Sequence, residues 1–522
     1  MKKQYCSNVI SLVLPAVFFG AVTGILTGGL VVLYKFCAKY VIEFSEHGYH
    51  FLRSNPIWIL AVLAALFGLA YFFSYIYRKF PNLRGGGIPV AIGNLRGIFP
   101  MKGLQDLFGI FTMSLTSFFL GLPLGNEGPA VQMGTAVGRS SVHLLTRKNY
   151  AWDRYAMTGG ACAGFSVATG ATISGLLFAV EEAHRRISPV LLIVASSAVT
   201  FSELINQFLS PLLGVDLKLF PSLDLKVIAA KELWLPLLIG ILVGLFSVAF
   251  LKYYRVIKQF FNKTIEKIPY GFKIFLIFAA TLGLGLYSYD FISTGHHLII
   301  SLFQNDAQIW MLLLLLLLRS TLTIGANSNR LTGDTVLPIL VLGALLTASL
   351  GKCLVDFAGM DEAYYTVIVV LGITACMAGM MKMPLTAVVF SVEALSCHAN
   401  IFSVILVAAV AFIITEIFSV HSINDSDLEN HIKEWHAGKR EVEIDRFVTV
   451  QAGSFAIGKQ IRDVLWPNKL TVLSFQHAKL NGIKSRADGG KEMRAGDILH
   501  IHCTTFDEER SMQELYDIIG KP

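Results

Sequence analysis

Gly125-Asn126-Glu127-Gly128-Pro129 closes a charge-free run that begins at Leu107. Proline suits the first turn of a helix, because the N–H it lacks would have had no partner there. Glycine just before it completes the signature of a helix start. Two other segments end the same way, Gly85-Gly86-Gly87-Ile88-Pro89 and Gly333-Asp334-Thr335-Val336-Leu337-Pro338. In water a glycine weakens a helix by about 1 kcal/mol. At membrane depth glycine permits close helix packing, or a broken helix whose freed backbone groups face a cavity. Packing accounts for most of the 45 glycines, but not for a Gly-x-Glu-Gly-Pro at the end of a long apolar stretch. Helix N-termini carry unpaired N–H groups and the positive end of the helix dipole, so several of them converging form a site for anions.

The surrounding composition places these starts in a membrane. Of 522 residues, 54% are apolar and 15% charged. The charge-free stretches Gln4–Tyr34, Ser54–Tyr77, Leu107–Asn126, Tyr155–Val180, Leu233–Leu251 and Ala363–Met381 are long enough to cross the hydrocarbon layer. The first follows Met1-Lys2-Lys3 but is longer than a signal-peptide core, so it reads as a retained membrane segment. Charge gathers at the other end, where residues 421–522 hold 30 of the 79 charged side chains, the mark of a soluble tail. A net charge of +7 without Lys/Arg clusters interleaved with aromatics belongs to cytoplasmic loops and excludes nucleic-acid binding. Cys6, Cys37, Cys162, Cys353, Cys376, Cys397 and Cys503 lie far apart, without a CxxC pair. They read as small buried hydrophobes, with no disulfide framework and no metal site.

The membrane body repeats itself. Gly160/Gly372, Phe178/Phe390, Val180/Val392 and Glu181/Glu393 match at an offset of 212, and Pro129/Pro338 and Gly134/Gly343 at 209. Two related halves with broken helices in corresponding places are what a transporter with inverted repeats shows, its substrate sitting where the half-helices meet.

Within this frame acids are few. Glu127, ionised, would compete with an anion for the N–H groups of its own helix; protonated, it would vacate them, which makes it a proton-linked gate. The competing reading is a helix-capping acid at a membrane surface. Glu181 and Glu182 precede His184-Arg185-Arg186, and the pair reads either as functional or as an interfacial ion network.

These residues resemble the CLC chloride channel and chloride/proton antiporter family, over about residues 10–428. The family's G-S-G-I-P motif corresponds to Gly85–Pro89, its G-(K/R)-E-G-P motif to Gly125–Pro129, and its G-x-F-x-P motif to Asp334–Pro338 in diverged form. The resemblance implies an α-helical membrane protein with the CLC fold of inverted repeats and broken helices, a homodimer with one anion pathway per subunit. It implies Glu127 as the external gating glutamate and Glu182 as the internal proton-transfer glutamate found in many antiporters. It implies an anion site around Gly86, Gly87, Ile88, Asn126, Gly128, Thr335, Val336 and Asn424. Four departures stand out: Gly86 replaces a serine, Val336 a phenylalanine, Asn126 a basic residue, and Asn424 the pore tyrosine. No tyrosine occurs between Tyr365 and Tyr516. The expected function is chloride transport as a proton-coupled Cl−/H+ antiporter, with a passive gated chloride channel as the alternative. A cation transporter would need a filter such as Thr-Val-Gly-Tyr-Gly, which the body lacks. No enzymatic activity and no cofactor are expected.

The tail alternates like a strand at Glu441–Asp445 and Thr471–Phe475, has helical spacing at Ile461–Leu465, turns at Gly496-Asp497 before Ile498–His502, and is helical again at Glu508–Ile519. In this order of elements residues 440–522 resemble the TrkA C-terminal (RCK C) module, a small α+β cytoplasmic domain, with residues 429–439 as linker to the body of residues 1–428. Such modules dimerise and bind regulators, cyclic di-AMP among them; a dimer clamp without ligand is the other reading. His500 and His502 share one strand face and read as ordinary strand residues. The expected location is a bacterial plasma membrane.

Overall fold

A computed structural model of the chain describes residues 2–146, 150–264, 268–304, 307–477, 485–486 and 488–521. The first half of the body comprises α1 (Lys2–Ser54), α2 (Trp58–Lys79), α3 (Gly87–Leu95), α4 (Leu104–Phe119), α5 (Glu127–Leu145), α6 (Asp153–Thr169), α7 (Thr172–Phe178) and α8 (Pro189–Leu213). The second comprises α9 (Trp234–Thr264), α10 (Tyr270–Tyr287), α11 (His296–Leu302), α12 (Ile309–Ser328), α13 (Val336–Ala358), α14 (Tyr365–Met380), α15 (Pro384–Ala394) and α16 (Ile401–Ile417). Among the described residues 9 helices are long and apolar enough to cross a membrane. All three proline-marked starts are helix starts: Pro89, Pro129 and Pro338 each occupy the third residue of α3, α5 and α13.

One expected span breaks in two. Tyr155–Val180 is not a single crossing but α6 and α7, separated where Gly170 turns left-handed at φ 68°. A side chain there would also run into the Lys218 backbone, so glycine is needed twice over.

The repeat is visible in the packing. Gly134 of α5 and Gly160 of α6 face each other so closely that a Cβ on either would overlap the other's carbonyl. The corresponding Gly343 of α13 faces Gly372 of α14, where a Cβ would lie 2.6 Å from the carbonyl oxygen. Backbone-to-backbone contact of this kind maximises dispersion between helices that gain nothing from excluding water in lipid. The two halves also cap each other. Glu181 accepts from the N–H groups of Leu385 (2.9 Å) and Thr386 (2.8 Å) at the start of α15. Glu393, its repeat partner, accepts from Ile173 (2.9 Å) and Ser174 (3.0 Å) at the start of α7. Each carboxylate neutralises orphan donors of the opposite half-helix. Glu181→Ala is expected to cost about 1–2 kcal/mol, the worth of a good N-cap. The thermal unfolding midpoint in detergent checks it, and an unchanged midpoint would contradict it.

α17 (Ile423–Trp435) follows the body, and most of the linker expected at residues 429–439 is therefore helix. Its second half is held by packing: Phe99 lies against His431 and Trp435, and Glu434 pairs with Arg330 at 2.8 Å. The tail then forms β1 (Val442–Thr449), β2 (Leu470–Gln476), β3 (Ser485–Arg486), β4 (Ile498–Thr505) and α18 (Glu508–Ile519), the strands antiparallel in the order β1-β4-β2-β3. It has its own core, including Ile444, Phe475, Leu499, Ile501 and Leu515. The helix expected at Ile461–Leu465 is only a single tight turn, Ile461–Asp463, because its carbonyls serve the body instead. Tyr155 and Ser188 donate to the Asp463 carbonyl (2.8 and 3.1 Å), and Arg186 to that of Val464 (3.1 Å). His500 and His502 are not without acidic neighbours: on the adjacent strand β1, Asp445 lies 2.5 Å from His500 and Glu443 3.6 Å from His502. These are pairs, and no group of three or more metal-ligating side chains occurs among the described residues. Cys162, Cys376, Cys397 and Cys503 are buried, Cys37 and Cys353 half-buried; the side chain of Cys6 lies outside the described residues.

Candidate functional site

The three interrupted-helix starts come together. Gly125 and Asp334 exchange backbone hydrogen bonds as a short antiparallel bridge, with N–O distances of 2.7 and 3.1 Å. Gly87 at the start of α3 presses on Gly128 of α5, where a Cβ on Gly87 would overlap the Gly128 carbonyl. A Cβ on Gly86 would lie 3.0 Å from the Gly333 carbonyl oxygen, and one on Gly128 would lie 2.6 Å from the Asp334 Cβ. Glycine at these positions is what lets three N-termini approach each other, and their unpaired N–H groups give the positive potential an anion needs. Gly87, Ile88, Gly128, Thr335 and Val336 are buried there; Gly86 and Asn126 are half-buried.

Glu127, the first residue of α5, is completely buried, and neither of its carboxyl oxygens has a hydrogen-bond partner among the described residues. Its side chain folds back over Gly125 toward Leu337, against the start of α13. It is thus no surface cap. Next to it, Asn126 lines a 170 Å³ cavity together with Lys35, Lys39, Lys218, His296, His297 and Leu337. The sequence departs from the motif by losing a basic side chain at 126, and this cavity brings three lysines from elsewhere, set against the acids Glu43 and Asp216. Lys35 and Lys39 stand one turn apart on α1, a spacing visible in the sequence but uninterpretable before the long helix is known to continue past Tyr34.

Glu181 and Glu182 separate into different tasks. Both sit on a wider π-helical turn, Ala179–Ala183, that follows α7. Such a turn rotates successive side chains relative to an α-helix and is common at functional sites. Glu181 points to α15, whereas Glu182 points inward, is buried, and accepts from the Asn424 amide at 3.0 Å. Arg185 stands 3.8 Å from Glu182 and is held by Asp425 through two bonds of 2.8 and 2.7 Å. Arg96 donates to the backbone carbonyls of Glu182 and Ala183, each at 2.9 Å. The structure therefore places Asn424 beside Glu182, one of its two amide hydrogens committed and its oxygen without a partner among the described residues. Arg96, Arg185 and Asp425 line a second cavity of 380 Å³, whose far wall is formed by Lys469, Phe506 and Arg510 of the tail.

Half-helices of two repeats converging on a buried site, with one buried acid beside each of two charged cavities, define a membrane body built for anions. The chain belongs to the voltage-gated chloride channel family, whose sequence profile it matches over residues 69–416. Among its relatives, a H+/Cl− exchange transporter ClcA of Vibrio vulnificus strain YJ016 is 26% identical over 435 residues, covering 80% of this chain and 90% of the relative. That of Vibrio parahaemolyticus serotype O3:K6 is 27% identical over 425 residues, covering 79% and 89%. The fold is shared with a slow cyanobacterial Cl−/H+ antiporter (TM-score 0.71, 21% identity, 80% of this chain and 98% of that one). It is also shared with a CLC-type fluoride/proton antiporter (TM-score 0.62, 20% identity, 78% and 96%).

Proposed function

We propose that the protein exchanges chloride for protons, the anion passing where α3, α5 and α13 begin and the proton moving by way of Glu127 and Glu182. The observation that carries this reading is Glu127, a buried carboxylate with no hydrogen-bond partner among the described residues, on the N-terminus an anion would use. Its ionised form and an anion compete for the same donors, so their occupancies are exclusive. Gly86, Gly87, Ile88, Gly128, Thr335 and Val336 offer backbone donors to the anion, with Asn126 at one end of the path and Asn424 at the other. Glu182 supports exchange over passive flow, because it adds a second buried acid next to the second cavity. The names of the relatives support the same reading. With chloride equal on both sides of a liposome, a proton gradient alone is expected to drive chloride accumulation; none would overturn the proposal.

For the rest of the chain we propose a homodimer in a bacterial plasma membrane, the tail on the cytoplasmic side as a TrkA C-terminal type module. The order of its elements and its seat against the cavity near Glu182 support regulation of transport, with cyclic di-AMP as the candidate ligand. Cyclic di-AMP should then change chloride flux in the full chain and not after deletion of residues 440–522; an unresponsive full chain would leave only the clamp.

A further inference from the structure

Asp334 occupies a place that the anion reading leaves unexplained. It stands in the loop before α13, is completely buried, and its Cβ packs against Gly128 at the start of α5. One carboxyl oxygen, Oδ2, accepts from the Val336 N–H at 3.3 Å, a donor that an anion at this helix start would otherwise use. The other, Oδ1, makes no hydrogen bond of good geometry among the described residues, although the backbone N–H of Gly128 also acts on this carboxyl group. Oδ1 is also the side-chain atom that faces Gly86: a Cβ on Gly86 would stand 3.7 Å from it. Position 86, at the start of α3, thus has no side chain of its own, and the polar atom in front of it comes from across the site. Leaving a buried carboxyl oxygen unpaired costs about 1–3 kcal/mol or more. A ligand that accepted a hydrogen bond from a protonated Oδ1 would remove that cost.

We propose that Asp334 is the side-chain ligand of the anion site: protonated, it donates the O–H that Gly86 cannot, and ionised, it takes the anion's place. This rests on the anion-exchange reading above and adds to it a second carboxylate that cannot be charged while the anion is bound. The balance is simple. One proton joins Oδ1 as one anion arrives and the anion accepts that O–H; when the anion moves on, Oδ1 returns its proton to the side it came from, so Asp334 adds no net proton transfer to the exchange, and no other bond forms or breaks. The ionisable groups that act on Asp334 are Glu127 on α5 and Asp427 on α17. The charge of Asp427 is balanced by Lys258 at 2.6 Å. Tyr77 of α2 is engaged by Thr332 at 2.8 Å, and α3 contains no ionisable side chain.

The test is calorimetric titration of chloride into the full-length protein in detergent, with Glu127→Gln as parent so that the gate does not titrate. Measurements at about pH 5.5 and pH 8.5, in buffers of different ionisation enthalpy, report affinity and proton uptake together. The parent is expected to bind chloride with proton uptake, and about tenfold or more weakly at the higher pH. Adding Asp334→Asn, whose amide donates at every pH, should remove both the pH dependence and the proton uptake. Adding Asp334→Gly should weaken binding at both pH values. If the parent binds chloride equally at both pH values without taking up a proton, Asp334 does not have this role, whether or not the variants fold. The same holds if Asp334→Asn leaves the pH dependence intact. Absence of chloride binding in every variant, together with absence of chloride flux in the wild type, would instead overturn the anion-exchange reading itself.

Discussion

Glu127→Gln will end proton movement driven by a chloride gradient while chloride still passes. The amide has the shape of the protonated acid, so it leaves the helix N-terminus open to the anion, but it cannot release a proton. The wild-type side chain is buried and folded over Gly125, with no side chain among the described residues hydrogen-bonded to it and only the backbone N–H groups of Asn126 and Glu127 acting on it. Replacing it therefore breaks no side-chain hydrogen bond, and the main change is the loss of the competition between carboxylate and anion. Uphill proton flux in liposomes should fall to the level of protein-free vesicles, a loss of about 100-fold or more, as for removal of a positioned proton-transfer group. Chloride flux should persist. Equal loss of both fluxes would mean that Glu127 supports the anion site and does not gate it.

The second large effect is expected at Glu182. Glu182→Val removes the only titratable atom of this residue while Glu181, its neighbour, continues to cap α15. Proton flux should fall at least about tenfold and chloride flux should change far less, since no anion donor comes from this side chain. Asn424 loses its carboxylate partner in this variant, so Glu182→Gln, which preserves a hydrogen-bond partner for Asn424, is the control for local damage. Proton transport unchanged in Glu182→Val would show that the inner relay lies elsewhere, and the cavity lined by Arg96, Arg185 and Asp425 would then be an anion vestibule alone.

What the sequence makes legible is local. Proline three residues into a helix marks α3, α5 and α13 because its chemistry is fixed by its own ring, and each of the three starts where that rule places it. The repeat is legible for the same reason as the packing that results from it: small residues recur where backbones touch, at Gly134 with Gly160 and at Gly343 with Gly372. Strands and the last helix of the tail follow their periodicity, α18 to the residue. Contacts between distant segments are not legible. The division of labour between Glu181 and Glu182 depends on a π-helical turn and on a half-helix some 204 residues away. The break between α6 and α7 depends on Lys218, which fills the space beside Gly170. Lys35 and Lys39 reach the cavity at Asn126 only because α1 continues past Tyr34. Asp334 is plain in its motif, yet nothing short of the fold sets its carboxyl oxygen opposite a glycine 248 positions earlier in the chain.

Anion and proton compete at Glu127 and move in opposite directions. The most direct measurement of this exchange is the simultaneous recording of chloride efflux and external pH from liposomes containing the wild-type protein, loaded with chloride and starting without a pH gradient. Chloride efflux is expected to carry protons inward against the gradient that builds, and collapse of the membrane potential by a potassium ionophore is expected to speed both. Chloride efflux with no proton movement would contradict it.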